Sequence, residues 1–313
     1  MSALVVEAPG LFTTVQDLGR EGFGPIGVSA SGAADPISVR IGNRLVGNPK
    51  GAAALEMTLV GGAFTFERAA VIAATGADFG PSLDGVAMPM WTSIEIREGE
   101  TVRFVASSSG ARAYLCIRGG IAVEPFLGSA STHVLRGLGG FEGRALRKGD
   151  GVEVGATNSL FRKRSLSAKA LERLQPRKVI RVTDGPQSDW FAESARKALC
   201  GNTFRMSEQS NRLGIRLEGP PIQLEASREM ITEGVSLGAI QVPPSGQPII
   251  LFVEQQTTGG YPKIANVISA DLHSLGQLRP RDEIRFERIE MSEARSLLIQ
   301  QEALLASKEL IQE

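Results

Sequence analysis

The chain has 313 residues, with 34 basic and 34 acidic side chains and an apolar share of 42%. The even charge balance argues against nucleic acid or an anionic membrane as a partner, and a charged share of 22% argues against disorder. No run approaches the roughly 20 apolar residues of a membrane-spanning helix, and the N-terminus lacks the positively charged start of a signal peptide. We expect a cytoplasmic globular protein of one large or two moderate domains.

Short apolar or alternating runs, the pattern of β-strands, occur throughout the chain. They lie at Leu4–Val6, Leu55–Leu59, Val71–Ala74, Val102–Ala106, Tyr114–Ile117, Val179–Val182, Ile249–Val253 and Ile284–Phe286. Glycine makes up 36 residues, above its usual share, which favours many turns. The sequence therefore predicts a mostly β fold with a mostly antiparallel sheet or barrel. A turn followed by alternating polar and apolar residues occurs at 98–104, 148–154 and 279–286, and each of these segments predicts a hairpin.

Three segments carry helix signals. Asp35 followed by Pro36 provides an N-cap and a first-turn proline, and Gly47 follows the last apolar position, which predicts a helix from Pro36 to Val46. The segments Ser188–Leu199 and Met291–Ile311 have amphipathic patterns that also indicate helices.

A charged stretch at 161–177, poor in large apolar residues, predicts a linker. It separates an N-terminal β half, 1–160, from a C-terminal β half, 178–290, which is followed by a C-terminal helix, 291–313. The chain is thus expected to consist of two β halves with a few peripheral helices.

The most unusual stretch is QQTTGGYPKIA, Gln255–Ala265. It combines hydrogen-bonding side chains with two glycines that allow close backbone approach, an aromatic wall and a positive charge, all of which suit a small polar ligand. Its candidate binding residues are Gln256, Thr257, Thr258, Gly259, Gly260, Tyr261 and Lys263. The alternative is a tight surface turn before a strand.

Two further pairs of residues could bind a small molecule. Arg112 and Arg118 flank an apolar strand and could bind a carboxylate by bidentate hydrogen bonds, or be solvated strand ends. Gln241 and Gln247 surround a Pro-Pro-Ser-Gly turn and could pair with a lactam or urea, or satisfy backbone groups of the turn.

The start of the predicted helix is another candidate site. Ser31, Gly32 and Asp35 could border a small-molecule site there, because a helix N-terminus presents unpaired N–H groups. Helix capping by itself also explains an aspartate at position 35.

Other catalytic motifs are weak or missing. Gly234–Gly238 matches a nucleophile elbow, but the Pro-Pro pair at 243–244 forbids the helix that must follow such an elbow. Two separated cysteines, Cys116 and Cys200, are interpreted as structural, and two histidines without paired spacing predict no metal site. No Gly-Lys dipeptide occurs, so a P-loop for ATP is absent, and no Met-Lys-Met type segment is present for biotin attachment.

Nine stretches, taken in order, resemble the biotin-dependent carboxyltransferase family. This group includes allophanate hydrolase subunit 2, KipA and the C component of 5-oxoprolinase, and the last is most similar. The stretches are GLFTTVQDLGR (10–20), GVSASGAAD (27–35), NRLVGN (43–48), RAYLCIRGGI (112–121), GSAST (128–132), DGPQSDWF (184–191), SNRLGIRLEG (210–219), GAIQVPPSGQPIIL (238–251) and the glycine-rich loop.

The resemblance implies a cyclophilin-like β-barrel architecture and a subunit of an ATP-dependent 5-oxoprolinase complex, which opens the lactam of 5-oxoproline to L-glutamate. ATP would be a co-substrate of the complex. The partners would be a protein like the B component of 5-oxoprolinase, similar to KipI and allophanate hydrolase subunit 1, and a protein like its A component. One alternative is the carboxyltransferase component of a urea carboxylase-like system, supplied by a biotinylated protein. Another is a KipA-like regulatory protein that binds a kinase inhibitor.

The chain departs from the family pattern at two places. Relatives often read Asp-Arg before Gln-Thr-Thr-Gly-Gly-Tyr, where this chain has Glu254 and Gln255. They often read Ser-Asp-Arg-Met-Gly, where this chain has Asn211 before Arg212. The missing arginine cannot bind an anionic group here, whereas Arg212 still matches the pattern and is a candidate substrate-binding residue.

Overall fold

The computed structural model describes residues 3–156, 161–224 and 230–313. These residues form two compact units. The first unit comprises the described parts of Met1–Arg20, Ser31–Leu174 and Leu304–Glu313. The second comprises Glu21–Ala30 and the described parts of Gln175–Ala303.

The strands of the first unit precede those of the second in chain order, except for the last one. The first unit contains β1 (Leu4–Ala8), β2 (Thr13–Gln16), β3 (Ala54–Thr58), β4 (Ala63–Phe66), β5 (Ala70–Gly76), β6 (Ser82–Leu83), β7 (Val86–Ala87), β8 (Ser93–Ile96), β9 (Thr101–Arg103), β10 (Arg112–Ile117), β11 (Gly151–Val152) and β12 (Ser165–Leu166). The second contains β13 (Val179–Asp184), β14 (Phe204–Met206), β15 (Gly214–Glu218), β16 (Glu233–Gly234), β17 (Ala239–Gln241), β18 (Ile249–Leu251), β19 (Thr258–Gly259), β20 (Lys263–Val267) and β21 (Glu283–Arg288). The final strand, β22 (Ile311–Gln312), pairs with β12 in the first unit.

The α-helices of the described residues are α1 (Pro36–Val46), α2 (Ala168–Arg173), α3 (Glu193–Gly201), α4 (Leu272–Gly276) and α5 (Met291–Ala306). Short 3-10 turns lie at Gly24–Ile26, Val134–Arg136, Ser188–Trp190, Ser269–Asp271 and Lys308–Leu310.

The first unit is built from two antiparallel sheets that share a hydrophobic cluster. The strand order is β11-β1-β4-β9-β6-β7 in one sheet and β2-β3-β10-β5-β8 in the other. Strand β10 is buried along its whole length, because Leu115 and Ile117 face the shared cluster while Tyr114 and Cys116 face a second cluster that includes α1. Burial on both faces explains why β10 reads as a continuous apolar run rather than an alternating one.

Helix α1 confirms the predicted bounds of the first helix. The Asp35 carboxylate accepts hydrogen bonds from the Ser38 backbone N–H at 3.1 Å and from its hydroxyl at 2.6 Å. Gly47 ends the helix with a left-handed φ of 83°. A Cβ on Gly42 would lie 2.4 Å from Cys116 Sγ, so glycine allows the close approach of α1 to β10.

The second unit contains a closed barrel in the order β13-β20-β17-β18-β15-β14-β21. Its pairs are antiparallel except for β13 with β21, which is parallel. The predicted mostly β, barrel-containing fold is therefore confirmed. Each of the eight predicted strand runs overlaps a strand of the structure.

The three predicted hairpins are wrong. After the turn at 98–104, β9 pairs with β4 and β6 and not with the preceding β8. Strand β11 pairs with β1, and β21 pairs with β13 and β14. The turn chemistry is local, but the pairing partner is decided by which sheet buries the strand.

The other two predicted helices and the predicted linker between the two β halves differ from the structure in detail. The segment Ser188–Leu199 is split into a 3-10 turn and α3, and the C-terminal helix ends at Ala306 rather than Ile311. The predicted linker, 161–177, contains β12 and α2, whose Leu166 and Ala170 are buried in a cluster of the first unit. The segment has many charged residues and few buried positions, so its sequence did not indicate the strand and the helix that it forms.

Candidate functional site

The sequence-predicted binding residues fall into separate groups in the two units. Four of them belong to the first unit, namely Ser31, Gly32, Asp35 and Arg112. The others belong to the second unit, namely Arg212, Gln241, Gln247, Gln256, Thr257, Thr258, Gly259, Gly260, Tyr261 and Lys263. Each group is built from different strands and is described separately.

The first-unit group surrounds Glu56 on β3, which is 1% exposed. Glu56 Oε2 accepts hydrogen bonds from the Tyr114 hydroxyl at 2.7 Å and from the Ala34 N–H at 2.8 Å. Arg112 Nε lies 3.8 Å from Glu56 Oε1, and the Tyr114 hydroxyl accepts a hydrogen bond from the Asp35 N–H at 2.8 Å. Burial, with the nearby Glu56 carboxylate, raises the pKa of Tyr114 well above its ordinary value. These groups pair with one another and fix the loop that precedes α1.

Ser31 and Gly32 shape the same loop. Ser31 has a φ of 57°, in the left-handed region, and its hydroxyl donates to the Thr132 carbonyl at 3.0 Å. Gly32 has a φ of 97°, and a Cβ there would lie 2.9 Å from the Gly19 backbone nitrogen. Both positions therefore have packing and backbone reasons for their residue type.

Two of the family-like stretches meet at Asp17. This carboxylate accepts hydrogen bonds from the Gly19 N–H, the Ser129 and Ser131 hydroxyls and the Ala130 N–H, at 2.5–2.7 Å. The contacts connect the segment 10–20 to the segment 128–132, which explains why both stretches are polar and rich in small residues.

Arg118, the second predicted strand-end arginine, is buried rather than solvated. Its Nε donates to the Val46 carbonyl at 2.8 Å, and burial lowers its pKa below the ordinary value. It lines a cleft of about 960 Å³ together with Arg68 and Arg97.

The second-unit group is centred on Gln241 and Lys263, which are register partners across β17 and β20. Each residue is only 2% exposed. The two residues are Cα partners next to a register shift between Ile240 and Gln241, and side chains of opposite residues project from the same face of a sheet. Among the residues that the structure describes, nothing forms a hydrogen bond with Gln241 Nε2.

Glu233 on β16 connects to this pair. Its Oε1 accepts hydrogen bonds from Lys263 Nζ and, at 2.9 Å, from Gln187 Nε2. Gln187 Oε1 in turn accepts the Lys263 backbone N–H at 3.2 Å. The hydrogen bond from Lys263, with that from Gln187, lowers the pKa of Glu233 below its ordinary value, so the carboxyl is ionised at neutral pH.

The glycine-rich loop covers the amide of Gln241. Strand β19 pairs with β16, and Gly259 is the register partner of Glu233. A Cβ on Gly259 would lie 2.4 Å from Gln241 Nε2 and 3.1 Å from Gln256 Nε2. A side chain at position 259 would therefore displace the buried amide, which gives a physical reason for glycine there.

The structure places the other loop residues at the surface. Gln256, Thr258, Gly260 and Tyr261 are exposed, and Thr257 is half-buried. These residues therefore do not contribute to the barrel core.

Gln247 lies apart from this group in its contacts. Its Oε1 accepts the Gly219 N–H at 3.2 Å, and its Nε2 donates to the Gly219 carbonyl at 3.1 Å. Both ends of the amide are occupied by backbone groups, which is the structural alternative given above for this glutamine. Gln241 and Gln247 flank the same turn but differ in hydrogen bonding, because only the Nε2 of Gln247 has a partner among the described residues.

Arg212 forms a buried ion pair with Glu254, through Nε to Oε1. Glu254 thus keeps the negative charge that relatives often carry as aspartate. Gln255 uses its Nε2 to bond the Val235 carbonyl at 3.3 Å, and Asn211 Oδ1 accepts the Leu213 N–H at 2.8 Å. The departures from the family pattern are accommodated by local hydrogen bonds.

The rejected nucleophiles have no catalytic environment. Ser236 of the Gly-x-Ser-x-Gly pattern lies exposed between β16 and β17, so a strand and not a helix follows it. Burial raises the pKa of the Cys116 thiol to about 12, which leaves it protonated at neutral pH. Within the described ranges, no three His, Cys, Asp or Glu side chains are grouped to hold a metal ion.

Sequence reasoning missed Glu233, Gln187, Glu56 and Tyr114. Glu233 and Gln187 are 30 and 76 residues away from Lys263, so no local spacing connects them. Two of them carried an available signal, since Gln187 lies in DGPQSDWF and Tyr114 in RAYLCIRGGI, whereas Glu56 and Glu233 lie outside the family-like stretches.

In the parts of the chain that the structure describes, no helix is long and apolar enough to cross a membrane.

The chain is similar to proteins of known name over most of its length. It is 39% identical to the C component of 5-oxoprolinase from Escherichia coli over 287 residues, which cover 91% of each chain. It is 36% identical to the corresponding 5-oxoprolinase component of Haemophilus influenzae, over 91% of this chain and 90% of that one. It is also 34% identical to the urea amidolyase of Saccharomyces cerevisiae, over 98% of this chain but 18% of that protein.

Solved structures show the same fold. The Kluyveromyces lactis urea amidolyase superposes with a TM-score of 0.91 at 34% identity, over 97% of this chain and 20% of that one. TTHA0988 superposes with a TM-score of 0.80 at 38% identity, over 92% of this chain and 56% of that one. The chain thus spans about a fifth of the urea amidolyase and about half of TTHA0988. Residues 26–288 match the model of the carboxyltransferase domain, subdomain A and B, and the chain belongs to this family.

Proposed function

We propose that the chain is one component of an ATP-dependent 5-oxoprolinase complex that opens the lactam of 5-oxoproline to L-glutamate. The observation that carries this proposal is the 39% identity with the C component of a 5-oxoprolinase across 91% of both chains. A match over nearly the whole length of a dedicated component favours this activity more than a match to 18% of a larger enzyme does.

The second-unit group has the chemistry that a lactam substrate needs. Gln241 offers a buried amide N–H that is unpaired among the described residues, and its register partner Lys263 offers a buried ammonium. Both are donors, and a substrate with carbonyl or carboxylate oxygens supplies the acceptors. We assign substrate binding to this barrel end, with the exposed hydroxyl and amide side chains of the loop at its rim.

ATP has a clear chemical role in the proposed reaction. Amide resonance makes the lactam carbonyl a poor electrophile, so transfer of the γ-phosphoryl group to its oxygen creates a leaving group and permits attack by water. ADP and inorganic phosphate are released, and the carbon–nitrogen bond breaks to give the amine of glutamate. We assign the nucleotide site to the partner components of the A and B types, because the sequence contains no phosphate-binding loop.

A second candidate function is carboxyl transfer from carboxybiotin to an amide nitrogen. The TM-score of 0.91 to a urea amidolyase over 97% of this chain favours it. In that case the same donors would bind urea, and a separate biotinylated protein would deliver the carboxyl group.

The test is to tag the chain in its native host, purify its complex and identify the accompanying chains by mass spectrometry. The complex should release glutamate and phosphate from 5-oxo-L-proline and ATP, and the isolated chain should release neither. A complex that contains a biotinylated chain and consumes bicarbonate with urea, in a reaction blocked by avidin, would instead establish carboxyl transfer. Release of glutamate by the isolated chain would contradict the assignment of the nucleotide site to partners.

A further inference from the structure

The two members of the Lys263–Glu233 ion pair have very different surroundings. Lys263 lies on β20 of the closed barrel, and its side chain is 3% exposed, whereas the Glu233 side chain is 45% exposed. Glu233 belongs to the two-residue strand β16, which pairs with the two-residue strand β19. The ammonium is therefore fixed in the barrel wall, and the carboxylate is held by a short peripheral element.

The buried ammonium requires a negative partner. Removing the partner of a buried charge is strongly destabilising, because the remaining charge stays desolvated and uncompensated. The requirement is for an anionic oxygen near Lys263 Nζ and does not specify which molecule supplies it. Glu233 meets it in the free protein, and a carboxylate on a ligand meets it equally well.

Gln241 adds a second requirement at the same place. Its Nε2 is buried and unpaired among the described residues, and Gln241 is the register partner of Lys263 across β17 and β20. An unsatisfied buried donor is destabilising, and a ligand oxygen that accepts its hydrogen bond removes this penalty on binding. Glu233 does not satisfy this donor: its Oε1 accepts from Lys263 and Gln187, and no hydrogen bond joins it to Gln241 Nε2.

We propose that Lys263 and Gln241 form a carboxylate subsite, in which the carboxylate of an anionic substrate replaces Glu233 at Lys263 Nζ and accepts the Gln241 N–H. Glu233 is the internal competitor that keeps the ammonium paired until substrate arrives. The subsite deepens the proposed function and rests on it for the identity of the substrate. It also separates the two candidate activities, because 5-oxoproline carries a carboxylate and urea does not.

The test uses ligand pairs that differ in charge. Dissociation constants are measured by NMR titration of the full chain with acetate and acetamide, and with 5-oxo-L-proline and its analogue 2-pyrrolidinone, which lacks the carboxylate. Glu233→Gln removes the competing charge and keeps an acceptor for Lys263 and Gln187. We expect the two carboxylates to bind roughly threefold to tenfold more tightly to this variant, and the two neutral amides to bind as before.

Two further variants complete the design. Lys263→Gln should weaken both carboxylates by about tenfold or more and leave the neutral amides unchanged. Glu193→Gln is the matched control, because Glu193 also pairs with a lysine, Lys197, in an exposed i,i+4 pair of α3. It should change no dissociation constant. Thermal unfolding of each variant shows that the fold is retained.

Weaker carboxylate binding by Glu233→Gln would overturn the proposal, because Glu233 would then support the ligand rather than compete with it. Equal changes for charged and neutral ligands, or no acetate binding by either wild type or Glu233→Gln, would overturn it as well. If acetate follows the expected pattern but 5-oxo-L-proline binds no more tightly than acetate, the subsite stands and the assigned substrate fails. If the complex turns over 5-oxo-L-proline while Lys263→Gln affects both ligands of a pair alike, the proposed function stands and the subsite fails.

Discussion

The buried polar group around Glu56 in the first unit and the one around Lys263 in the second contain similar residue types but differ in how they are satisfied. Glu56 accepts from Tyr114 and Ala34 with Arg112 nearby, so its charge and its acceptors are used within the unit. Lys263 pairs with the half-exposed carboxylate of Glu233, and its register partner Gln241 has an amide donor with no partner among the described residues. Hydrogen bonds to Glu56 hold the loop before α1 in place in the first unit, whereas the Gln241 donor of the second unit is available to a ligand oxygen.

The largest expected effect comes from breaking the first of these networks. Glu56→Ala removes the acceptor of two buried donors and a carboxylate 3.8 Å from Arg112 Nε, so we expect a loss of about 3–5 kcal/mol in the free energy of unfolding. Urea denaturation followed by circular dichroism measures this loss. The exposed Glu98→Ala is the control and should stay within about 0.5 kcal/mol of wild type. A Glu56→Ala protein as stable as wild type would remove the structural role assigned to this group.

The next effect concerns the loop over Gln241. Gly259→Ala places a Cβ where the Gln241 amide lies, so we expect kcat/KM of the assembled complex to fall about tenfold, while unfolding changes by less than about 1 kcal/mol because a flexible side chain can move aside. Gly260→Ala is the neighbouring control, since a Cβ there meets Thr232 Oγ1 at an ordinary 3.5 Å. Equal activity of the two variants would argue against a binding role for Gln241.

A smaller effect is expected at the cap of α1. Asp35→Ala removes the acceptor of the Ser38 N–H and hydroxyl, which should destabilise the protein by about 1 kcal/mol. Asp35→Ser keeps a capping oxygen and should recover most of that loss. Thermal unfolding compares the two variants. If Asp35→Ala instead abolished activity at unchanged stability, Asp35 would belong to a substrate site. The first-unit group would then not be purely structural.

Replacing the buried amide of Gln241 should have almost no effect on stability. Gln241→Leu removes a donor that has no partner within the described ranges, so we expect the free energy of unfolding to stay within about 1 kcal/mol of wild type or to rise. The same variant should lower substrate affinity, because the donor is lost. Gln247→Leu is the matched comparison and should destabilise the protein, since both ends of that amide bond the Gly219 backbone. The opposite order of stabilities would contradict the assignment of the two glutamines.

The smallest effect is a pH dependence at Glu233. Its pKa is lowered below the ordinary value of 4.5, chiefly by the hydrogen bond from Lys263. A depressed folded-state pKa contributes stability that is present above the unfolded-state pKa and is lost as pH falls through the folded-state pKa. The stability difference between wild type and Glu233→Gln should therefore be constant above about pH 5 and shrink below about pH 4. A difference that persists unchanged at low pH would mean that the Glu233 charge does not stabilise the pair.

The sequence by itself determined those features that depend on neighbouring residues. Asp35, Pro36 and Gly47 act within one or two helical turns, and their signals placed both ends of α1. The apolar runs located the strands, because burial requires apolar side chains wherever the strand lies in the fold. The order of the family-like stretches identified the carboxyltransferase family, which the match over residues 26–288 confirms.

Only the tertiary structure decided which strands pair and which polar groups are satisfied. The turns before β9, β11 and β21 were recognisable, but their strands join sheets whose other members come from distant parts of the chain. Gln241 and Gln247 have the same side chain and flank the same turn, yet among the described residues the Nε2 of one is unpaired and that of the other bonds Gly219. Glu233 and Lys263 are 30 residues apart, and Glu233 is held outside the barrel by the pairing of β16 with β19, so no local pattern encodes their contact.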